Sequence, residues 1–124
     1  MDFRTKETLA KYYAFIKERK SAGGTPPCRF CKEILPDEKY SFKYWKILHN
    51  NFPYDNIAEL HDMLIPKRHF ADETEMNADE REELIDIKVR IIPGMQAYDT
   101  MIENFKKMRS MEHYHIHLIK LKID

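Results

Sequence analysis

No stretch of this 124-residue sequence strings together the roughly 20 apolar residues that a helix needs to cross a bilayer. The opening residues, MDFRTKETLAKYY, hold no apolar core of the kind a secretory leader carries. A cytoplasmic protein without a membrane segment is the expectation. An excess of charge of either sign is missing too, since Lys plus Arg and Asp plus Glu both count 21. That balance argues against an extended nucleic-acid surface, which needs basic residues massed on one face. Neither internal repeats nor low-complexity tracts occur. Cysteine is scarce, with two residues in all, and a reducing cytosol disfavours joining them as a structural disulfide.

What is present is the mixture of a globular domain: 43% hydrophobic and 34% charged residues, unlike a disordered chain. The length fits one domain, large enough for a core but with little stability to spare. The two cysteines, Cys28 and Cys31, are spaced CxxC. That spacing is half of a metal site, a redox pair or a coincidence. A redox pair usually opens a helix, but here Pro26 and Pro27 precede it and Pro36 stops the chain after Lys32–Leu35. Metal binding is the favoured reading.

Residues 5–20 read as an amphipathic helix, with Leu9, Tyr12, Tyr13 and Ile16 at helical spacing between lysines and glutamates. That face is expected to pack on its own domain. Residues 21–27 are a linker by composition, so 1–24 is taken as an N-terminal helix and linker and 25–124 as the domain proper. Residues 40–49 and 57–65 read as strands separated by a turn. The clearest helix spans 78–92: Asn77 can cap it, Glu80 can return the hydrogen bond, and Pro93-Gly94 should end it. Residues 97–105 are read as a strand, and 113–121 as another because they alternate. Strands and helices mixed in this way indicate an α+β fold, one sheet covered by helices.

The segment His113-Tyr114-His115-Ile116-His117 holds three of the chain's six histidines. Residues two apart on a strand point to the same face, so the three rings should form a row. A satisfied surface cluster is the bland reading. The two chemical ones are metal binding by neutral imidazoles and catalysis by a group that titrates near neutral pH.

HYHIHLI fits a His-φ-His-φ-His-φ-φ pattern, with φ apolar, at every position, and so resembles the motif of the histidine triad (HIT) family. His61-Asp62-Met63-Leu64-Ile65-Pro66-Lys67-Arg68-His69 is similar to that family's second block. The resemblance covers roughly residues 28–121. It implies a HIT-like antiparallel sheet of about five strands with helices packed on it. It also implies a nucleotide hydrolase or transferase. His115 would attack the α-phosphorus of a nucleoside phosphoramidate or dinucleoside polyphosphate, forming a covalent nucleotidyl-histidine. His117 would hold phosphate oxygens or assist the leaving group, and His61 would support them from across the site. Ser110, Asn104 and Asn50 match positions that contact phosphate, leaving group or ribose in relatives. Some members of the bacterial-type branch bind a structural zinc ion, Zn2+, through residues matching Cys28, Cys31, His69 and His113, with His49 a rival fourth ligand. A homodimer is the further expectation. The glycine and glutamine usual before the triad are Met108 and Arg109 here. Arg109 is either a bidentate substitute for the phosphate contacts or a solvated residue. Lys67 and Arg68 would attract a polyphosphate or simply line a solvated loop. The alternative function is a non-catalytic nucleotide-binding or zinc-stabilised interaction module of the same fold.

Overall fold

The computed structural model describes residues 2–21, 28–32, 35–105 and 113–123. A helix, α1 (Lys6–Ser21), comes first. Five strands follow: β1 (Glu38–Ser41), β2 (Trp45–His49), β3 (Ala58–Pro66), β4 (Thr100–Ile102) and β5 (Ile116–Leu121). They form one sheet in the order β1-β2-β3-β5-β4, with every neighbouring pair antiparallel. Between β3 and β4 lie α2 (Ala78–Asp86), a π-helical turn over Ile87–Ile91 and α3 (Ile92–Met95). This is the expected α+β, HIT-like architecture. No described helix is long and apolar enough to cross a membrane.

The sheet separates two environments. Trp45, Ile47, Leu64, Ile116 and Leu118 point to one face, where Phe70, Leu84, Ile87 and Ile92 close the main core over them. Burial of this apolar surface is the main force holding α2 and α3 on the sheet. Phe30, Leu35, Leu48, Met63 and Ile65 form a smaller core on the opposite face. The alternation of β3 and β5 thus sends core residues one way and histidines the other.

Several elements differ from the expected spans. The single strand over 40–49 is a hairpin, β1 and β2, turning at Phe42–Tyr44. The Glu83 carboxylate of α2 accepts the N–H groups of Lys43 at 3.2 Å, Tyr44 at 2.7 Å and Trp45 at 3.1 Å. A side chain distant in sequence therefore satisfies the turn, which no local pattern reveals. The helix expected to stop at residue 92 runs on to Met95, ending where Gln96 adopts a left-handed φ of 55°. Proline lacks an N–H and its ring crowds the carbonyl four residues back; the widened π turn before Pro93 absorbs both. Its start matches expectation: Asn77 Oδ1 accepts the Glu80 N–H at 2.8 Å, and Glu80 Oε1 accepts the Asn77 N–H at 2.9 Å. The strand expected over 97–105 is only Thr100–Ile102. That over 113–121 begins at Ile116, because the Tyr114 N–H leaves the ladder to donate to Phe70 O at 2.7 Å.

Candidate active site and metal centre

β3 and β5 are central neighbours, with Met63 opposite His117 and Leu64 opposite Ile116. This register brings His61 against His117, and the extended residues before β5 carry His115 and His113 onward along the same face. His61, His115 and His117 are 1%, 5% and 4% exposed. Buried imidazoles must find partners, and those partners fix which nitrogen of each ring carries the proton.

The Tyr54 backbone N–H donates to His61 Nδ1 at 2.9 Å. An amide N–H can only donate, so the proton of neutral His61 sits on Nε2. That Nε2–H faces His117 Nδ1 at 2.7 Å. His117 must then carry its own proton on Nε2, 3.3 Å from the accepting Tyr54 hydroxyl oxygen. Burial is the largest cause that lowers both pKa values, to about 3 for His61 and about 2 for His117; the Arg4 charge and neighbouring histidines add to it. The pair is neutral at physiological pH.

His115 is oriented differently. Its Nδ1 lies 2.9 Å from the His113 carbonyl oxygen. A carbonyl only accepts, so Nδ1 carries the proton and the ring's lone pair belongs to Nε2. The ring meets His117 edge to face at 4.9 Å, and Phe30 lies 6.4 Å away. A neutral imidazole with its lone pair on the nitrogen away from the backbone is equipped to act as a nucleophile.

The third ring of the row serves another cluster. His113 Nε2 donates to Pro66 O at 2.8 Å, which leaves the lone pair on Nδ1. That Nδ1 is 3.4 Å from Cys28 Sγ, 3.7 Å from Cys31 Sγ and 3.1 Å from His69 Nδ1. His69 Nδ1 is 3.1 Å from Cys31 Sγ, and all four donor atoms lie within 4.8 Å of one another. Around a tetrahedral ion with M–N near 2.05 Å and M–S near 2.3 Å, donor separations are about 3.3 Å for N···N and about 3.6 Å for N···S. These four separations fit that polyhedron to within about half an ångström. The bond to Pro66 O is the kind of outer contact that would orient His113 as a ligand. Burial, then the Cys28 thiol, pushes Cys31 up to about 11, whereas a bound cation would reverse that by stabilising the thiolate. These four residues form a cluster able to hold a metal ion.

Other expected site residues fall in several places. Asn104 hydrogen-bonds the Tyr54 hydroxyl, which places it beside His117. Asn50 accepts the Phe52 N–H at 2.8 Å, and its Nδ2 lies 3.3 Å from His61 Nε2. Arg109 and Ser110 lie outside the described residues. His49 is not at the metal cluster: it sits on the helix-covered face, 3.2 Å from buried Asp62. Arg68 is held by Glu80 at 2.7 Å, and Lys67 donates to Phe42 O, so both serve the scaffold rather than a lone solvated loop. Tyr54 was not anticipated; a tyrosine after Pro53, seven residues before the first block histidine, was its only trace in the sequence.

A family model described as the HIT domain matches residues 33–122. The chain belongs to the HIT domain family. Its fold is similar to that of a HIT family hydrolase from Legionella pneumophila Philadelphia 1, with a TM-score of 0.60, 25% identity, and coverage of 76% of this chain and 92% of that one. A HIT family hydrolase from Clostridium thermocellum gives a TM-score of 0.57 at 27% identity, covering 82% and 95% respectively. A histidine triad nucleotide-binding protein from Candida albicans shares the fold at a TM-score of 0.57 and 24% identity, covering 79% and 76%. No curated protein matches the sequence. Of the residues described above, α1 lies outside the matched HIT segment and the histidine row lies inside it.

Two neutral buried histidines predict that this HIT domain loses stability in acid. An unfolded histidine titrates near 6.5, far above the folded values of about 3 and about 2. Below pH 6.5 the unfolded chain therefore binds protons that the native state does not. Stability is fully present above that pH and declines as pH falls, by up to about 1.4 kcal/mol per pH unit for each such ring. Urea midpoints should fall steadily from pH 6.5 to 4 and flatten in a His61→Gln variant relative to the parent. A parent profile flat across that window would mean the pair is not neutral and buried.

Proposed function

We propose that the chain is a nucleotide hydrolase or transferase that attacks the α-phosphorus of a nucleoside phosphoramidate or dinucleoside polyphosphate. The observation that carries this reading is the His115–His113 hydrogen bond, which assigns the lone pair of His115 to Nε2. Names of two similar structures, at 25% and 27% identity, include the word hydrolase and support it. In the first step Nε2 forms a bond to phosphorus while the bond to the leaving amine or phosphate breaks, the leaving group departing with that electron pair and a proton from solvent. Water then attacks the same phosphorus and gives a proton back to solvent, the N–P bond breaks, and its electron pair returns to His115. His117 and His61 orient one another beside that centre, and His117 serves the phosphate or leaving group. Asn104 and Asn50 position substrate through the same neighbourhood, and phosphate contact by Ser110, with Arg109 in place of the family's glutamine, enters this reading only as what the family resemblance implies.

Zinc is the metal this cluster fits best, because two thiolates and two imidazoles suit its borderline softness. Such a set uses all four positions of a tetrahedral ion, so the role is structural. Bound there, it would fix His113, whose carbonyl in turn holds His115.

A panel of adenosine and guanosine phosphoramidates and dinucleoside polyphosphates tests the activity. Release of nucleoside monophosphate is the expected result. Ligand binding by calorimetry with no product from any compound would replace this reading with the non-catalytic module.

A further inference from the structure

The segment before the family match is tied to the histidine site by several independent contacts. Asn56 donates its backbone N–H to Phe3 O at 2.9 Å, and its side-chain amide to Asp2 O and Arg4 O, each at 2.9 Å. Asp55 accepts the Thr5 N–H at 2.7 Å and the hydroxyls of Thr5 and Thr8, and so holds Thr5, whose Oγ1 accepts the Thr8 N–H at 3.3 Å and caps the start of α1. Tyr12 and Phe15 then pack on Phe52, with ring centres 5.4 and 5.1 Å apart. Every one of these partners lies in the short loop 52–56 that carries Tyr54.

Arg4 sits at the centre of this junction. Its Nε donates to Phe52 O at 2.8 Å. Its guanidinium carbon lies 4.3 Å from the centre of the Tyr12 ring and 4.8 Å from that of Tyr54, so the group bridges the helix and the site loop by cation–π contact. Tyr54 packs in turn against His61 at 4.4 Å and His117 at 4.9 Å. It also supplies the N–H that sets the His61 tautomer and the oxygen that accepts the hydrogen bond of His117 Nε2–H.

We propose that Arg4 is a positioning residue of the histidine site, holding Tyr54 in the one place from which it fixes the proton arrangement of His61 and His117. The inference rests on the activity proposed above for its kinetic consequence, but not for its structural one. Arg4 acts through Tyr54 and touches no reacting atom. Its positive charge also opposes protonation of both histidines, in the same direction as the geometry.

The test uses the full chain carrying Arg4→Met, Arg4→Lys or Tyr12→Leu. Small displacements of positioning groups cost up to about 100-fold in rate. Arg4→Met should lower kcat by about 10- to 100-fold with KM changed less than about threefold. Arg4→Lys, which keeps a cation over the ring, should recover most of that loss. Tyr12→Leu, which removes the other stacking partner, should show a smaller effect of the same kind and serves if Arg4→Met does not fold. Imidazole nitrogen NMR gives the readout that needs no substrate: in the parent, His61 reads as the Nε2–H form, and in Arg4→Met the His61 and His117 signals move towards a tautomer mixture. Unchanged kcat and unchanged nitrogen signals would overturn the inference. So would a raised KM at constant kcat, which would make Arg4 a direct substrate contact. If the parent turns over no substrate, the proposed activity fails, while the nitrogen signals still decide the role of Arg4.

Discussion

Replacing His115 by alanine is expected to reduce turnover by at least about 10³-fold, the scale on which loss of a nucleophile is felt. Affinity for a substrate analogue should change by less than about tenfold, because the missing group forms a bond to phosphorus only in the reacting state. The fold should survive. The substitution deletes the hydrogen bond to the His113 carbonyl and opens a gap at a position 5% exposed, losses worth about 1–3 kcal/mol. Steady-state kinetics, calorimetry and a urea melt on one preparation separate these effects. Full turnover in the alanine variant would remove His115 from the chemistry. Lost affinity with no turnover in either protein would make it a binding residue.

The second large effect belongs to the metal cluster. Cys31→Ser, or stripping the metal with a chelator, should lower stability by several kcal/mol and the melting temperature by more than about 10 °C. Structural zinc contributes on the order of 10 kcal/mol in the smallest domains. Here a separate core stands on the far face of the sheet, so partial loosening is expected rather than complete unfolding. The affected part is the Phe30 cluster and the approach to β5, where His113 and Pro66 O meet. Elemental analysis should give about one zinc per chain. His113→Ala should lose it and His115→Ala should keep it, a contrast that distinguishes the two adjacent roles. A metal-free parent that melts like Cys31→Ser would end the zinc proposal.

The residues differ in how far they could be read in advance. HYHIHLI announces its geometry because alternation is a local property, and the rings do share a face even though only His117 lies within β5. Asn77 and Glu80 showed the start of α2 for the same reason. The four metal-cluster residues span 85 positions of sequence, and only the resemblance to zinc-binding relatives, not local spacing, grouped them in advance. What could not be read depends on distant partners. Glu83 reaches across from α2 to satisfy the turn between β1 and β2, so one apparent strand is two. The π turn that carries the helix past Pro93 depends on the core holding Ile87 and Ile92. Tyr54 and Arg4 belong to the site through contacts that span about fifty residues of sequence, and no periodicity encodes them. His49 was a plausible ligand by type, but its strand turns it to the other face, against Asp62.

The most direct test of the central claim is chemical capture of the intermediate. A nucleoside phosphoramidate or dinucleoside polyphosphate labelled in the base is mixed with the protein in a rapid-quench device, stopped in alkali to preserve an N–P bond, digested and mapped by mass spectrometry. A nucleotidyl adduct on the peptide containing His115, rising and decaying at rates that account for turnover, is the predicted result. Turnover at full rate with no such adduct, or an adduct on another side chain, would contradict it.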